Sequence, residues 1–366
     1  MRVVVVGAGI AGASAAYHAA RSGAEVVLVD REAEGRATSA GAGIVCPWSS
    51  RVTDPDWYRL SAAGARYYPE LVARLAEDGE TDLGYRRVGA LCLPADADGL
   101  AEVRDRVLAR RADAPEAGDV STLTADEARA LFPPLAPDTP AVHVAGAARV
   151  DGRLIRDAMR RAAARHGARL MTGTARLVAD GRVRAVEVDS VRVDADAVIA
   201  AAGAWTPQLL SGTGVRVAVD PQRGQIVHLG LPGVDTSTWP VVLPASRHYL
   251  LAFDDSRVVV GATRETGSGF DYRVTAGGLA EVLNEALSVA PGLATARHLE
   301  TRIGFRPMGP GVTPLLGPVP ALPGLTVLTG LGAGGLTMGP YAGRLAAQAA
   351  TGGVPELDLA PYDPVR

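Results

Sequence analysis

Apolar residues near the start of this chain come in short solid runs. Val3 to Val6 is one and the stretch from Glu25 to Val29 is another, and runs of this length bounded by glycine or charge predict buried strands. Between them the alanine-rich segment Ala13 to Arg21 predicts a helix that Gly23 stops. Further on, Asp151 to His166 reads as an amphipathic helix ended by Gly167, followed by strands at Arg169 to Thr172 and Arg182 to Val188 and a buried strand at Ala195 to Ala201. The charge-rich region from Asp56 to about Leu131 predicts helix, interrupted by a strand near Gly84 to Pro94. From Val217 to Thr263 the pattern alternates, with strands at Gln225 to Leu229, His248 to Phe253 and Arg257 to Ala262; this predicts an antiparallel sheet over a site. A helix at Leu279 to Ala290, a strand at Leu325 to Thr329 and a helix from about Gly339 to Ala350 complete the elements.

The turns between these elements carry the chemistry. Gly7-Ala8-Gly9-Ile10-Ala11-Gly12 joins the first strand to the first helix. In such a turn Gly7 permits the tight bend, Gly9 lets backbone approach a pyrophosphate, and Gly12 lets helix and sheet pack closely. The helix then presents its N-terminal N–H groups and positive dipole end to the phosphates. Asp30 ends the second strand eighteen residues after Gly12, near the spacing at which a carboxylate receives ribose hydroxyls and disfavours a 2′-phosphate. These features predict a dinucleotide site, with NAD and FAD both open. The small-residue stretch Ala37 to Gly43 is expected to lay backbone N–H groups against a flat ring system, and Ala202-Gly203-Ala204-Trp205 forms a second close-approach turn. The loop Gly330 to Gly335 aims another helix N-terminus at a ligand.

Composition narrows the setting. The 366 residues, 48% hydrophobic, allow about two domains, and a net charge of −3 offers no broad basic surface to nucleic acid or acidic membrane. Two cysteines, Cys46 and Cys92, suit a reducing compartment, and the first strand begins at Arg2, so the expected location is the cytoplasm. The six histidines show no metal-binding spacing. Lysine is absent from the chain, so no lysine Schiff base or lysine-activated oxygen site belongs to the mechanism.

The fingerprint, Thr38-Ser39, Ala202 to Trp205, Arg223-Gly224-Gln225, Gly304-Phe305-Arg306-Pro307 and the last glycine-rich turn occur in an order that resembles the amine-oxidising flavoproteins of the glycine oxidase, sarcosine oxidase and D-amino-acid oxidase group. The layout is most similar to glycine oxidase, through His248-Tyr249, Val260 to Thr263 and Thr313 to Gly317. The resemblance implies an α/β protein with an FAD-binding Rossmann-like domain of the glutathione-reductase type (residues 1–84, 139–219 and 300–366) and an antiparallel-sheet substrate domain (85–138 and 220–299). It implies FAD held non-covalently in extended form, since Met308 and its neighbours offer no flavin-linking cysteine. Cofactor contacts carried over from the group fall on Gly7, Gly9, Ile10, Ala11 and Gly12, on Asp30 and Arg31, and on Thr38, Ser39, Ala40, Gly41, Gly43 and Ile44. They continue at Ala175, at Ala202, Gly203 and Trp205, at Gly304 and Arg306, and at Gly330, Gly332, Gly334, Gly335, Leu336 and Thr337.

For the substrate, Arg306 is the candidate to fork onto a carboxylate, with Tyr249 bonding the same group. The alternatives are a salt bridge of Arg306 to Glu300 and a core tyrosine. Two positions depart from glycine oxidase: Ala333 stands where that enzyme has an arginine and Arg264 where it has a methionine. Arg264 therefore meets either Glu265, as an ion pair at a strand end, or a second substrate carboxylate, as in an N-carboxymethyl amino acid. Val45, Trp48 and Phe253 are apolar candidates for lining side-chain space. The leading expectation is an oxidase of an amino acid or N-substituted glycine that passes electrons to O2, acting on a small amine and no macromolecule. A D-amino-acid dehydrogenase feeding a quinone, a flavin-binding module without turnover and an NAD-dependent dehydrogenase are the alternatives.

Overall fold

The computed structural model describes residues 1–96 and 99–366. Ala97 and Asp98, within the span 85–138 expected for the substrate domain, lie outside the described residues.

The nucleotide side is built on a six-stranded sheet in the order Leu315–Pro318, Leu325–Thr329, Ala197–Ala200, Arg2–Val6, Glu25–Asp30, Arg169–Thr172. Neighbours run parallel except the first pair, which is antiparallel. The four-valine run is solid because both faces of its strand are covered. Alternation along the strand sends Val3 and Val5 into one core with helices Ile10–Arg21 and Gly335–Ala350. It sends Val4 and Val6 into a second core under a three-stranded antiparallel meander, Ala175–Ala179, Val183–Val188 and Val191–Asp194.

The last helix starts at Gly335, four residues earlier than the sequence suggests, and runs through Pro340. Proline has no N–H to give the carbonyl four residues back, and the hydroxyl of Tyr68 donates to that carbonyl, on Leu336, instead. Two glycines let this helix lie close to the first. A β-carbon on Gly343 would stand 2.5 Å from the Ala11 carbonyl oxygen, and one on Gly339 would stand 2.8 Å from Ile10.

The substrate side is a nine-stranded sheet, in which Glu265–Thr266, Asp220–Gly230, Arg257–Gly261, Tyr249–Phe253, Val241–Leu243, Ala90–Cys92, Ala141–Val144 and Val120–Leu123 follow one another. The ninth strand, Arg297–Met308, pairs with Asp220–Gly230 along its whole length. Two features correct the sequence reading. Ala141–Val144 pairs inside this sheet, although the span 139–219 was expected on the nucleotide side. Arg297–Met308 is one continuous strand across the expected boundary at 300; its charged first half hides the alternation because it is an exposed edge. The helical region divides into Pro55–Glu77, Gly99–Arg111 and Ala125–Leu131, and the helix after Thr275 spans Ala276–Val289.

Candidate active site

A cavity of about 520 Å³ lies between the two sheets, within the usual range for small-molecule sites. Gly7, Gly9, Ile10 and Ala11 of the first turn line it, with Asp30 and Arg31 at the end of the second strand. Gly12 stands behind the turn, where a β-carbon would meet the Gly7 carbonyl oxygen at 1.8 Å; its role is packing. The Asp30 carboxylate accepts from the Ala8 N–H at 2.5 Å and the Glu32 N–H at 2.6 Å, with Arg36 at 3.5 Å. It therefore fixes the shape of the glycine turn as well as presenting a carboxylate to the cavity. Thr38 Oγ1 accepts from the Ile10 N–H at 2.9 Å, tying the small-residue stretch to the helix N-terminus.

Thr38, Ala40, Gly41, Gly43 and Ile44 line the next part of the cavity, opposite Ala175, Ala202, Gly203 and Trp205. Trp205 is sandwiched, with the Arg31 guanidinium 5.1 Å from its ring centre and Phe270 stacked at 4.9 Å. Gly304, Gly332, Gly335 and Leu336 close the far side. Gly41 and Gly304 are small for a reason: β-carbons there would stand 2.7 Å from Leu336 and 2.9 Å from Ala40.

Seven further residues expected at the site stand outside the lining. The Ser39 side chain turns away to Arg156, and Ser39 faces a separate small cavity beside Asp151. Gly330 and Gly334 shape the loop from behind the lining, and the Thr337 hydroxyl donates to the Ile44 carbonyl at 2.9 Å instead of facing the cavity. Val45, Trp48 and Phe253 are core residues outside the lining, Phe253 being held between the guanidinium groups of Arg149 and Arg257. Missed as site residues by the sequence reading were Arg36, Thr174, Gly224 and Ile226, all of which line the cavity. Only Gly224 carried a signal, a glycine inside a strand, which marks close approach of another group.

Arg306, Tyr249 and Arg264 meet at one end of the same cavity. Arg306 is partly buried, and its protein partners are neutral: Nη1 donates to the Thr263 carbonyl at 3.0 Å and to Gln222 Oε1 at 3.4 Å. Glu300 bonds Arg302 instead, so the expected alternative salt bridge is absent. Burial lowers the pKa of Arg306, with the Tyr249 hydroxyl beside it acting in the opposite sense. Burial raises the pKa of Tyr249, so its hydroxyl stays a donor.

Arg264 does not pair with Glu265. Its Nη2 donates to the Arg247 carbonyl at 2.6 Å, whereas Glu265 reaches Arg223 at 2.6 Å and accepts from Gln225 and Thr263 at 2.7 Å each. The two neighbours lie on opposite sides of the chain, so adjacency in sequence brings no contact.

The chain matches the family described as FAD dependent oxidoreductase (DAO) over residues 2–349. It belongs to that family. An uncharacterised oxidoreductase of Bacillus subtilis, YurR, is 50% identical over 363 residues, covering 99% of this chain and 98% of the relative. Glycine oxidase of Pseudomonas aeruginosa is 33% identical, covering 99% and 98%. Among solved structures, iminodiacetate oxidase from Chelativorans sp. BNC1 superposes with a TM-score of 0.97 at 55% identity, covering 99% of both chains. Glycine oxidase from Geobacillus kaustophilus gives 0.87 at 26% identity, covering 100% of this chain and 99% of that one.

As in the rest of the DAO family, the cofactor is FAD. The cavity fits it. One end holds a glycine turn, a helix N-terminus without acidic residues and a carboxylate; the other holds a second helix N-terminus, that of Gly335–Ala350, also free of acidic residues. The first set suits an ADP moiety and the second suits the negative charge of a reduced flavin.

Proposed function

We propose that this FAD-dependent oxidoreductase is an oxidase of N-substituted glycines, which it converts to glyoxylate and the free amine with O2 as electron acceptor. The reading rests above all on Arg306, a cation in the cavity that, among the described residues, bonds a carbonyl and an amide oxygen, has the Tyr249 hydroxyl beside it and makes no salt bridge, although Glu265 acts on it electrostatically. A guanidinium sheltered from water and left without a carboxylate is matched by a ligand that brings one. Arg306 forks onto the substrate carboxylate, and the Tyr249 hydroxyl, kept protonated by burial, donates to the same group. Anchoring the carboxylate there fixes the adjoining methylene against the small-residue stretch, and orientation of this kind supplies much of the rate.

Bound FAD supplies the acceptor for a hydride from that methylene carbon. The amine gives up a proton in the same oxidation, the resulting imine takes up water, and the C–N bond breaks to give glyoxylate and amine. The two electrons and two protons removed end on O2 as hydrogen peroxide. Iminodiacetate, named in the solved relative at 55% identity, is itself an N-substituted glycine, and this supports the substrate class. Cys46 and Cys92 are buried free thiols, in keeping with a cytoplasmic setting. No helix among the described residues is long and apolar enough to cross a membrane.

The test is anaerobic reduction of the flavin by N-methyl- and N-carboxymethyl-glycine, followed by admission of air. Reduction, then reoxidation with one peroxide per glyoxylate, is expected. Arg306→Lys should lower the efficiency of reduction ~10²-fold, because an ammonium cannot form the fork. Reduction without reoxidation by O2, but with reoxidation by a quinone, would instead identify a dehydrogenase.

A further inference from the structure

The end of the cavity that holds Arg306 contains a second cation for which one carboxylate provides no use. Arg264 lines the cavity, exposed to it, and among the described residues its hydrogen bonds run to backbone only, Nη2 to the Arg247 carbonyl at 2.6 Å and Nη1 to the Ala262 carbonyl at 3.4 Å. No carboxylate among the described residues comes within 4.0 Å of its nitrogens. The acids that might have taken it are engaged elsewhere. Glu265 and Asp271 hold Arg223 at 2.6 and 2.9 Å, and Glu281 faces His248 at 3.4 Å. A guanidinium has five N–H donors, so those of Arg264 beyond its two carbonyl bonds remain for a ligand.

Two like charges opening on one cavity repel each other; burial, and after it the charge of Arg306, lowers the pKa of Arg264. A chain selecting only for a monocarboxylate gains nothing from this repulsion. It is relieved by an anion that reaches both groups. Tyr249 lies within electrostatic reach of both guanidinium groups.

We propose that Arg264 is the anchor for a second carboxylate, so that the preferred substrate is an N-carboxymethyl amino acid, a secondary amine with a carboxylate on each arm. This deepens the reading of the site as an oxidase of N-substituted glycines and rests on it. Arg306 and Tyr249 hold the arm whose methylene is oxidised, and Arg264 holds the other. The same chemistry as above then releases glyoxylate from the first arm and the second arm as a free amino acid. Glu265 belongs to this device by staying away: Arg223 keeps its carboxylate on the far side of the strand, so that Arg264 is not neutralised from within.

The test separates binding from turnover with two thioethers that cannot be oxidised at nitrogen, thiodiacetate and (methylthio)acetate, titrated against the visible absorbance of the FAD-loaded protein. Wild type should bind thiodiacetate about 10- to 100-fold more tightly, the size of one added charge-assisted contact. The ratio should fall to near one in Arg264→Met and below one in Arg264→Glu. The reduction efficiencies of iminodiacetate and sarcosine should shift in the same direction. Equal binding of the two thioethers by wild type, or a ratio that survives both substitutions, overturns the role of Arg264. Failure of the flavin to be reduced by either amine, with the thioether ratio intact, overturns instead the assignment as an oxidase of N-substituted glycines and leaves the dicarboxylate site standing.

Discussion

The guanidinium of Arg306 lies against the Cα of Gly224 on the neighbouring strand, and a β-carbon there would stand 2.5 Å from Nη2. The glycine makes room for the charge. Because the clashing atoms are the far end of a flexible side chain, Gly224→Ala should cost the fold little and displace the guanidinium. The expected result is a ~10-fold or larger loss in flavin-reduction efficiency, with FAD content and melting temperature nearly unchanged. A variant with wild-type reduction kinetics would show that Arg306 does not need this position.

Asp30 serves the turn and the ligand together. Asp30→Ala removes acceptors from the Ala8 and Glu32 N–H groups and the carboxylate proposed for the ribose. Affinity for FAD should fall by ~1.5–3 kcal/mol, measured by fluorescence of released flavin. Unchanged affinity would remove Asp30 from the cofactor site.

The hydroxyl of Tyr68 takes the carbonyl that Pro340 leaves unpaired. Tyr68→Phe would bury that Leu336 carbonyl without a donor. Urea unfolding should show a loss of ~1–3 kcal/mol, whereas a proline placed harmlessly in the helix would show none.

Glu80, which is buried, should give a measurable acid dependence. It accepts from Arg161 at 2.5 Å and from Arg165, and these pairs hold its carboxyl below the usual range, with burial opposing them. A depressed carboxyl pKa adds stability that is present above the unfolded value, about 4.3, and is lost as pH falls through the folded value. Wild type should therefore exceed Glu80→Gln in unfolding free energy by ~1–3 kcal/mol at pH 7, and the gap should narrow steadily as pH falls below about 4.3. A gap that does not narrow on acidification would mean that the charge is not its source.

Much of the nucleotide side was legible because its signals are local. A solid valine run, a glycine turn, an alanine-rich helix and a terminal acid are determined by neighbours within a few residues, and the structure brings Gly7, Gly9, Ile10, Ala11 and Asp30 together at one cavity. The same locality explains the misses. Ser39 sits beside Thr38 yet points elsewhere, because successive side chains on a short turn diverge. Strand Ala141–Val144 looks like any short apolar strand, and only its register against Ala90–Cys92 and Val120–Leu123 assigns it to the substrate sheet.

The sequence by itself determined the dinucleotide turn, the resemblance to amine-oxidising flavoproteins and the identity of the two arginines worth following. The tertiary structure decided what those arginines face. Whether Arg264 met Glu265 was settled by Arg223, 42 positions away in the chain, which draws the carboxylate to the opposite side. Whether Arg306 met Glu300 was settled by Arg302, which bonds that acid on the same strand. Charges choose partners by distance and direction in space, and only folding sets which acid is within reach.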